Sequence, residues 1–222
     1  MCYCKSGRLL RISVSLLGCL ILGIAYAGLQ AVYNPTMLKH LQAYSPEAVQ
    51  RGQQILTTIK QLQTESETRQ VTQVNALFNR VRYQTDQQLW QQMDYWATPY
   101  EFIGHNAGDC EDFVIAKFFL LQQLGVDTDK LYLTYVKVNG LSVAHMVLTY
   151  FPAPDAVPWV LDNYHPDVLP ATERSDLMPV YSFNVHSLFL TTTQAEIKQS
   201  LPINKVKNSH WTQLLARMRA HQ

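Results

Sequence analysis

The sequence predicts an α+β domain in which helices come first and an antiparallel sheet follows, packed on one central buried helix. Three observations carry this reading. Apolar residues recur at helical intervals through the first third of the chain, the stretch from Asp109 to Leu124 is apolar on nearly every face, and from Leu131 onward β-branched and aromatic residues flank an Asn139-Gly140 turn. The 222 residues are 47% apolar and 16% charged, which suits one well-buried domain and excludes a disordered tail or a small disulfide scaffold. The net charge is +1, with no block of like charges, so electrostatics offers no footprint for nucleic acid or a polybasic membrane contact.

The elements follow in order. Ser45, Pro46 and Glu47 supply an N-cap, a proline at the first helical position and an early acid, and Val49, Ile55, Leu56, Ile59 and Leu62 continue as a helical stripe. Val71, Val74, Leu77, Phe78 and Val81 form a second stripe after a polar turn near Gln63 to Glu67. Thr85 to Gly108 holds Pro99 and Gly104, shows no sustained period and reads as irregular chain or short helix. Asp109 to Leu124 lies between Gly108 and Gly125, with Asp109 at the cap and Asp112 three residues on, and its all-round apolarity places it mid-domain. Leu131 to Val138 and Val143 to Phe151 read as a hairpin, Trp159 to Asp162 as a third strand and Val180 to Phe183 as a fourth. His210 to Met218 reads as a closing helix. No repeat or interdomain linker interrupts residues 28–222, which are expected to form a single domain.

Lys5, Arg8 and Arg11 precede the apolar run from Ile12 to Ile24, which ends in Ala25-Tyr26-Ala27. Residues 1–27 therefore read as a signal peptide cut after Ala27, or as an uncleaved signal anchor; either sends the rest across the inner membrane. A lipoprotein-type cut before Cys19 would leave an apolar stub, Leu20 to Ala25, behind the modified cysteine. Removing the leader takes away three basic residues and no acid, leaving fifteen basic against seventeen acidic residues, a net −2. It also removes Cys2, Cys4 and Cys19, so Cys110 is the sole cysteine of an exported domain. Such a thiol is either an apolar filler or a working group.

Its neighbours bear on that choice. Cys110 sits in the first turn of the buried helix, where unpaired amides and the helix dipole favour a thiolate. His145 lies inside a hairpin strand, where it can be a core residue or a base, and Asp162 ends the third strand, where it can orient that base or begin a turn. Together they offer a nucleophile, a base and an orienter from three neighbouring elements.

The segments Trp96-x-Thr98-Pro99-x-Glu101, Gly108-Asp109-Cys110-Glu111-Asp112-Phe113, His145-Met146-Val147-Leu148, Leu161-Asp162-Asn163 and the run from Arg174 through Asp176-Leu177 to Asn184 resemble the bacterial transglutaminase-like cysteine proteases of the LapG type. The resemblance spans about residues 90–185. It implies a papain-like, transglutaminase-like core with Cys110, His145 and Asp162 as a catalytic triad. It also implies a periplasmic endopeptidase that clips a large surface adhesin near its N-terminus, releasing cells from a biofilm. The expected partners are that adhesin and the periplasmic domain of an inner-membrane cyclic-di-GMP receptor that sequesters the protease.

Asp109, Glu111 and Asp112 crowd the thiol. They can cap the helix and complement its dipole, but beside a nucleophile their charge raises the thiol pKa unless a cation neutralises it. Hard carboxylate oxygens suit calcium, and the resemblance implies calcium dependence through these acids. Trp96 and Glu101 can wall the cleft or serve packing and surface. Two other functions remain open at this point: a transglutaminase-type acyl transferase, which resolves the same acyl-enzyme with an amine, and a catalytically silent binding module.

Overall fold

The helices at the start of the domain each begin on a residue that caps them. In the computed structural model, which describes residues 31–140, 144–184, 187–191, 197–202 and 209–220, the Asn34 side chain accepts from the Met37 N–H ahead of α1 (Pro35–Leu41). Ser45 does the same for Ala48 ahead of α2 (Pro46–Leu62), and Ser66 for Arg69 ahead of α3 (Glu67–Phe78). α1 escaped the sequence reading because seven residues are too short for an apolar period to show, although its Asn-Pro start is the same signal that marks α2. The buried stripes are Ile55, Ile59 and Leu62 on α2 and Val71, Val74 and Phe78 on α3. The expected leader lies outside the described residues, among which no helix is long and apolar enough to cross a membrane.

Between α3 and the central helix come β1 (Arg82–Tyr83), α4 (Asp86–Leu89), α5 (Pro99–His105) and β2 (Ala107–Gly108). β1 and β2 pair in parallel, Tyr83 opposite Gly108, and fasten the chain just before the thiol. On α5, Thr98 and Glu101 form a reciprocal capping box behind Pro99.

The central helix, α6 (Cys110–Gln123), has no polar face over its middle, and every residue from Asp112 to Leu121 is buried. Asp109 is its N-cap, and Gly125 ends it with φ +96°, a left-handed conformation that glycine adopts without strain. One side of α6 packs on the strands β3 (Leu131–Val138) and β4 (Ala144–Tyr150), while α3 and α5 also pack against it. The sheet continues through β5 (Trp159–Leu161), β6 (Leu169–Pro170), β7 (Leu177–Phe183), β8 (Ser187–Thr191) and β9 (Ile197–Pro202). All its pairs are antiparallel, in the order β6-β5-β4-β3-β7-β8-β9. β8 and β9 are additions to the sequence reading, which ended the sheet at Phe183. α7 (Ser209–Ala220) closes the fold, its Trp211 ring stacked on Phe119 and edge-on to Phe118 of α6.

A groove of about 780 Å³ lies over a patch of the sheet that includes Val136, Val147 and Val160. The Thr134 hydroxyl bonds those of Thr149 and Ser182 at 2.9 Å beneath it, and neither Cys110 nor His145 lines it.

The helical layer is knit by aromatic rings. Phe102 of α5 is fully buried, with its ring 6.1 Å from Phe78 of α3 and 5.0 Å, edge-on, from Phe113 of α6. Phe102→Ala is expected to destabilise the domain by about 3–5 kcal/mol in a urea titration, since three helices lose their shared contact; a loss below about 1 kcal/mol would mean the rings do not hold the layer.

Candidate active site and acidic cluster

α6 presents its first residue, Cys110, half-buried and free, at the end of the β2 fastening. The thiol donates to Glu111 Oε2 at 2.9 Å. Burial raises its pKa well above the usual cysteine value, and the neighbouring charges of Glu111 and then Asp109 push it further; the backbone N–H of Met146 bonds the sulfur and works the other way. That last contact fixes the geometry that matters, because Met146 follows His145 on β4 and places the sulfur beside the histidine's strand.

His145 is fully buried, and its Nε2 donates to Asp162 Oδ1 at 2.8 Å. A carboxylate only accepts, so the ring proton sits on Nε2. Nδ1 is buried with no hydrogen-bond partner and is left as the basic nitrogen. The ring is clamped against Tyr164, with centroids 4.2 Å apart and planes within 5°. Asp162, just past the end of β5, is held from several directions. Its Oδ1 also accepts from the Tyr164 N–H at 2.9 Å, and its Oδ2 accepts from Arg174 at 2.7 Å. Its carbonyl accepts from the side chain of Asn79, the C-cap of α3, at 2.7 Å. Arg174 is fixed in turn by Asp176, through bonds of 2.9 and 2.7 Å. Burial alone would raise the Asp162 pKa, but the His145 hydrogen bond and charge, the Tyr164 amide and the Arg174 guanidinium outweigh it and bring the carboxyl down to about 2.

The acids beside the thiol divide differently from the sequence expectation. Asp109 and Glu111 are joined by Asp86 of α4, the three each offering an oxygen within 4.8 Å of the others. Asp112 is not in that group: its Oδ1 accepts from the Ala97 N–H at 2.7 Å and its Oδ2 from the Asp109 N–H at 3.3 Å. Both its oxygens are thus spent on backbone amides as part of a capping box, the role that its position three residues into the helix favours. Asp86 accepts from the Tyr95 N–H and Asp109 from the Asp86 N–H, yet one oxygen of each, Asp86 Oδ1 and Asp109 Oδ1, is buried without a partner. Burial, helped by Glu111, raises Asp86 to about 6 against the counter-effect of the Tyr95 amide, and burial with Glu111, Asp112 and Asp86 drives Asp109 upward as well. Orphaned, mutually repelling hard oxygens at this spacing fit a divalent cation of the calcium type.

Trp96 and Glu101 serve packing and capping. Trp96 is buried in stacks with Phe183 and His210, and Glu101 bonds the Thr98 N–H and the Tyr95 hydroxyl. Arg174, Tyr164, Asn79 and Asp86 escaped the sequence reading. Arg174 and Asp176 stood in a recognised segment without a role, whereas Asp86 lies 23 residues before Asp109 in a stretch whose period gave nothing to read.

The lowered Asp162 pKa makes a prediction with a definite sign. A depressed carboxyl stabilises the fold above its unfolded pKa, near 4, and that contribution fades as pH falls through about 2. Urea unfolding of the wild type should lose about 2 kcal/mol across this window from this group, and Asp162→Asn should flatten that portion of the acid dependence; equal slopes in the two proteins would mean that Asp162 is not held as an anion.

The family model described as bacterial transglutaminase-like cysteine proteinase matches residues 36–177. A comparison with curated protein sequences gives no match. Among solved structures, the EGTA-treated LapG of Legionella pneumophila superposes with a TM-score of 0.73 at 35% identity, over 86% of this chain and 98% of that one. The calcium-bound LapG of the same organism gives a TM-score of 0.70 at 38% identity, over 82% of this chain and 97% of that one. The fold with a cysteine at the head of a buried helix, the match through both halves of the site and the likeness to LapG agree, and the chain belongs to the bacterial transglutaminase-like cysteine proteinases.

Proposed function

We propose that this protein is a calcium-dependent periplasmic cysteine endopeptidase of the LapG type, with Cys110, His145 and Asp162 as its triad. It cleaves a large surface adhesin near the adhesin's N-terminus and so releases cells from a biofilm. The observation that carries the triad is the state of His145: Nε2 is committed to Asp162, Nδ1 is the free basic nitrogen, and the sulfur of Cys110 rests on the amide of the next residue.

In this reading His145 Nδ1 takes the thiol proton and the thiolate attacks the scissile carbonyl, forming a C–S bond. Developing negative charge is favoured at the N-terminal end of α6. The tetrahedral intermediate collapses, the C–N bond breaks and the leaving amine takes the proton from His145. Water, deprotonated by the same nitrogen, then hydrolyses the thioester. Asp162, anchored by Arg174 and the Tyr164 amide, holds the tautomer and steadies the imidazolium, and Tyr164 keeps the ring from rotating away.

Asp86, Asp109 and Glu111 would hold the calcium, and its charge would lower the repulsion around the thiol. The calcium-bound LapG supports this choice of ion. The periplasmic location is supported by the basic and apolar leader pattern of residues 1–27. The adhesin substrate and a cyclic-di-GMP receptor that sequesters the protease follow from the LapG-type resemblance.

Mixing the mature protein with the N-terminal region of a co-occurring large adhesin, with calcium and with chelator, tests the proposal. The expected result is one cut, mapped by mass, that chelator abolishes, that returning calcium restores and that Cys110→Ala eliminates with an unchanged melting curve. Cleavage by Cys110→Ala would overturn the nucleophile, and incorporation of a fluorescent amine without peptide cleavage would make the protein an acyl transferase.

A further inference from the structure

The chain from Asp94 to Ala97 belongs to no helix or strand, yet two of its backbone amides meet acids at the head of α6 and on α4. The Tyr95 N–H donates to Asp86 Oδ2, and the Ala97 N–H donates to Asp112 Oδ1 at 2.7 Å. The first bond decides how the Asp86 carboxylate is turned and leaves Oδ1 as its buried, unpartnered oxygen. A carboxylate aimed by an amide is only as well placed as the chain that carries the amide. What fixes this chain therefore bears on the cluster of Asp86, Asp109 and Glu111.

The hold comes from α7. Arg217 donates through Nη2 to the carbonyl of Trp96, 121 residues before it, and its guanidinium lies over the Tyr95 ring, 4.5 Å from the centroid. The Trp96 carbonyl and the Ala97 N–H belong to one trans peptide unit and point opposite ways, so that unit is gripped by α7 on one side and by Asp112 of α6 on the other. Near the start of α7, His210 stacks on the Trp96 ring at 5.6 Å and reaches Asp94 at 3.5 Å. An arginine in the last turn of a helix ordinarily complements the dipole, as the exposed Arg219 does here; Arg217 is turned onto the Tyr95–Trp96 chain instead.

We propose that α7 is a clamp on the metal cluster: Arg217 is a positioning residue that fixes the chain at Tyr95 and Trp96 and, through the Tyr95 amide, the Asp86 carboxylate, so that calcium affinity depends on a helix that carries none of Asp86, Asp109 and Glu111. The proposal rests on the reading of those three acids as calcium ligands. By linkage, if docking of α7 favours calcium by a given factor, calcium favours that docking by the same factor.

Calcium-free protein is titrated with calcium by calorimetry as wild type, Arg217→Met, Arg217→Lys and Arg219→Gln, and the fold of each is followed by its melting curve. Arg217→Met keeps an apolar stem but cannot hold the carbonyl, and its calcium dissociation constant is expected to rise about tenfold or more. Arg217→Lys, which keeps the charge and a donor without the planar fork, should recover part of the loss. Arg219→Gln should stay within about twofold of the wild type. The sign is diagnostic, because removing a cation would by charge alone tighten calcium binding. A folded Arg217→Met that melts earlier but binds calcium as the wild type does would make α7 a structural brace and overturn the proposal. Should neither Arg217 variant fold, hydrogen exchange of the wild type decides: calcium should slow the α7 amides, and α7 exchange indifferent to calcium would overturn the proposal. A wild type that takes up no calcium would remove the calcium reading itself, so the two failures are distinct.

Discussion

The first turn of α6 gathers a thiol and a set of carboxylates into partly dehydrated space, and the repulsion among them is the constraint to which the site answers. Glu111 accepts from the thiol, Asp109 lies on its other side, and Asp86 is brought up against them from α4. A helix N-terminus tolerates negative charge, but half a unit of dipole charge does not offset three crowded carboxyl groups, two of which, Asp86 and Asp109, have an oxygen buried without a partner. Burial and mutual repulsion raise the pKa values of Asp86, Asp109 and the Cys110 thiol together. A divalent cation held there would act on all of these at once, so in the proposed reading metal occupancy would control the thiol as well as brace the loop.

The opposite side of the site is arranged the other way. Around Asp162 the positive and donor groups outnumber the negative ones, and the carboxyl stays ionised although buried. The two halves of the candidate site therefore hold carboxyl groups in contrasting states, with raised pKa values at Asp86 and Asp109 beside the thiol and a lowered one at Asp162 behind the histidine. Their separation depends on secondary structure: the first set sits on α4 and the start of α6, and the second at the end of β5, tied to α3 through Asn79.

Much of this was legible in the sequence where a pattern had length. The buried helix announced itself by apolarity on every face between two glycines, and the hairpin by its Asn139-Gly140 turn, where Gly140 takes φ +82°. Short elements such as α1, β1 and β2 carry no period to read. At the site, the residues within one motif were readable and those brought in by tertiary folding were not. Asp112 reads together with Asp109 and Glu111 because sequence adjacency shows charge but not direction, and in the fold its oxygens turn back to the Ala97 and Asp109 amides. Asp86 is the converse case, remote in sequence and adjacent in space. Lys117 is the lone charge in the apolar run from Phe113 to Leu121, and such a run signals burial without showing what a buried charge faces.

In the proposed mechanism a cation in the acidic cluster sets the reactivity of Cys110, and the decisive measurement is the rate of thiol alkylation against pH, with calcium and with chelator. Calcium is expected to move the alkylation midpoint to lower pH by about one unit or more, and chelation to reverse the shift. Superimposable curves would contradict it and would return Asp86, Asp109 and Glu111 to a purely structural role at the head of the helix.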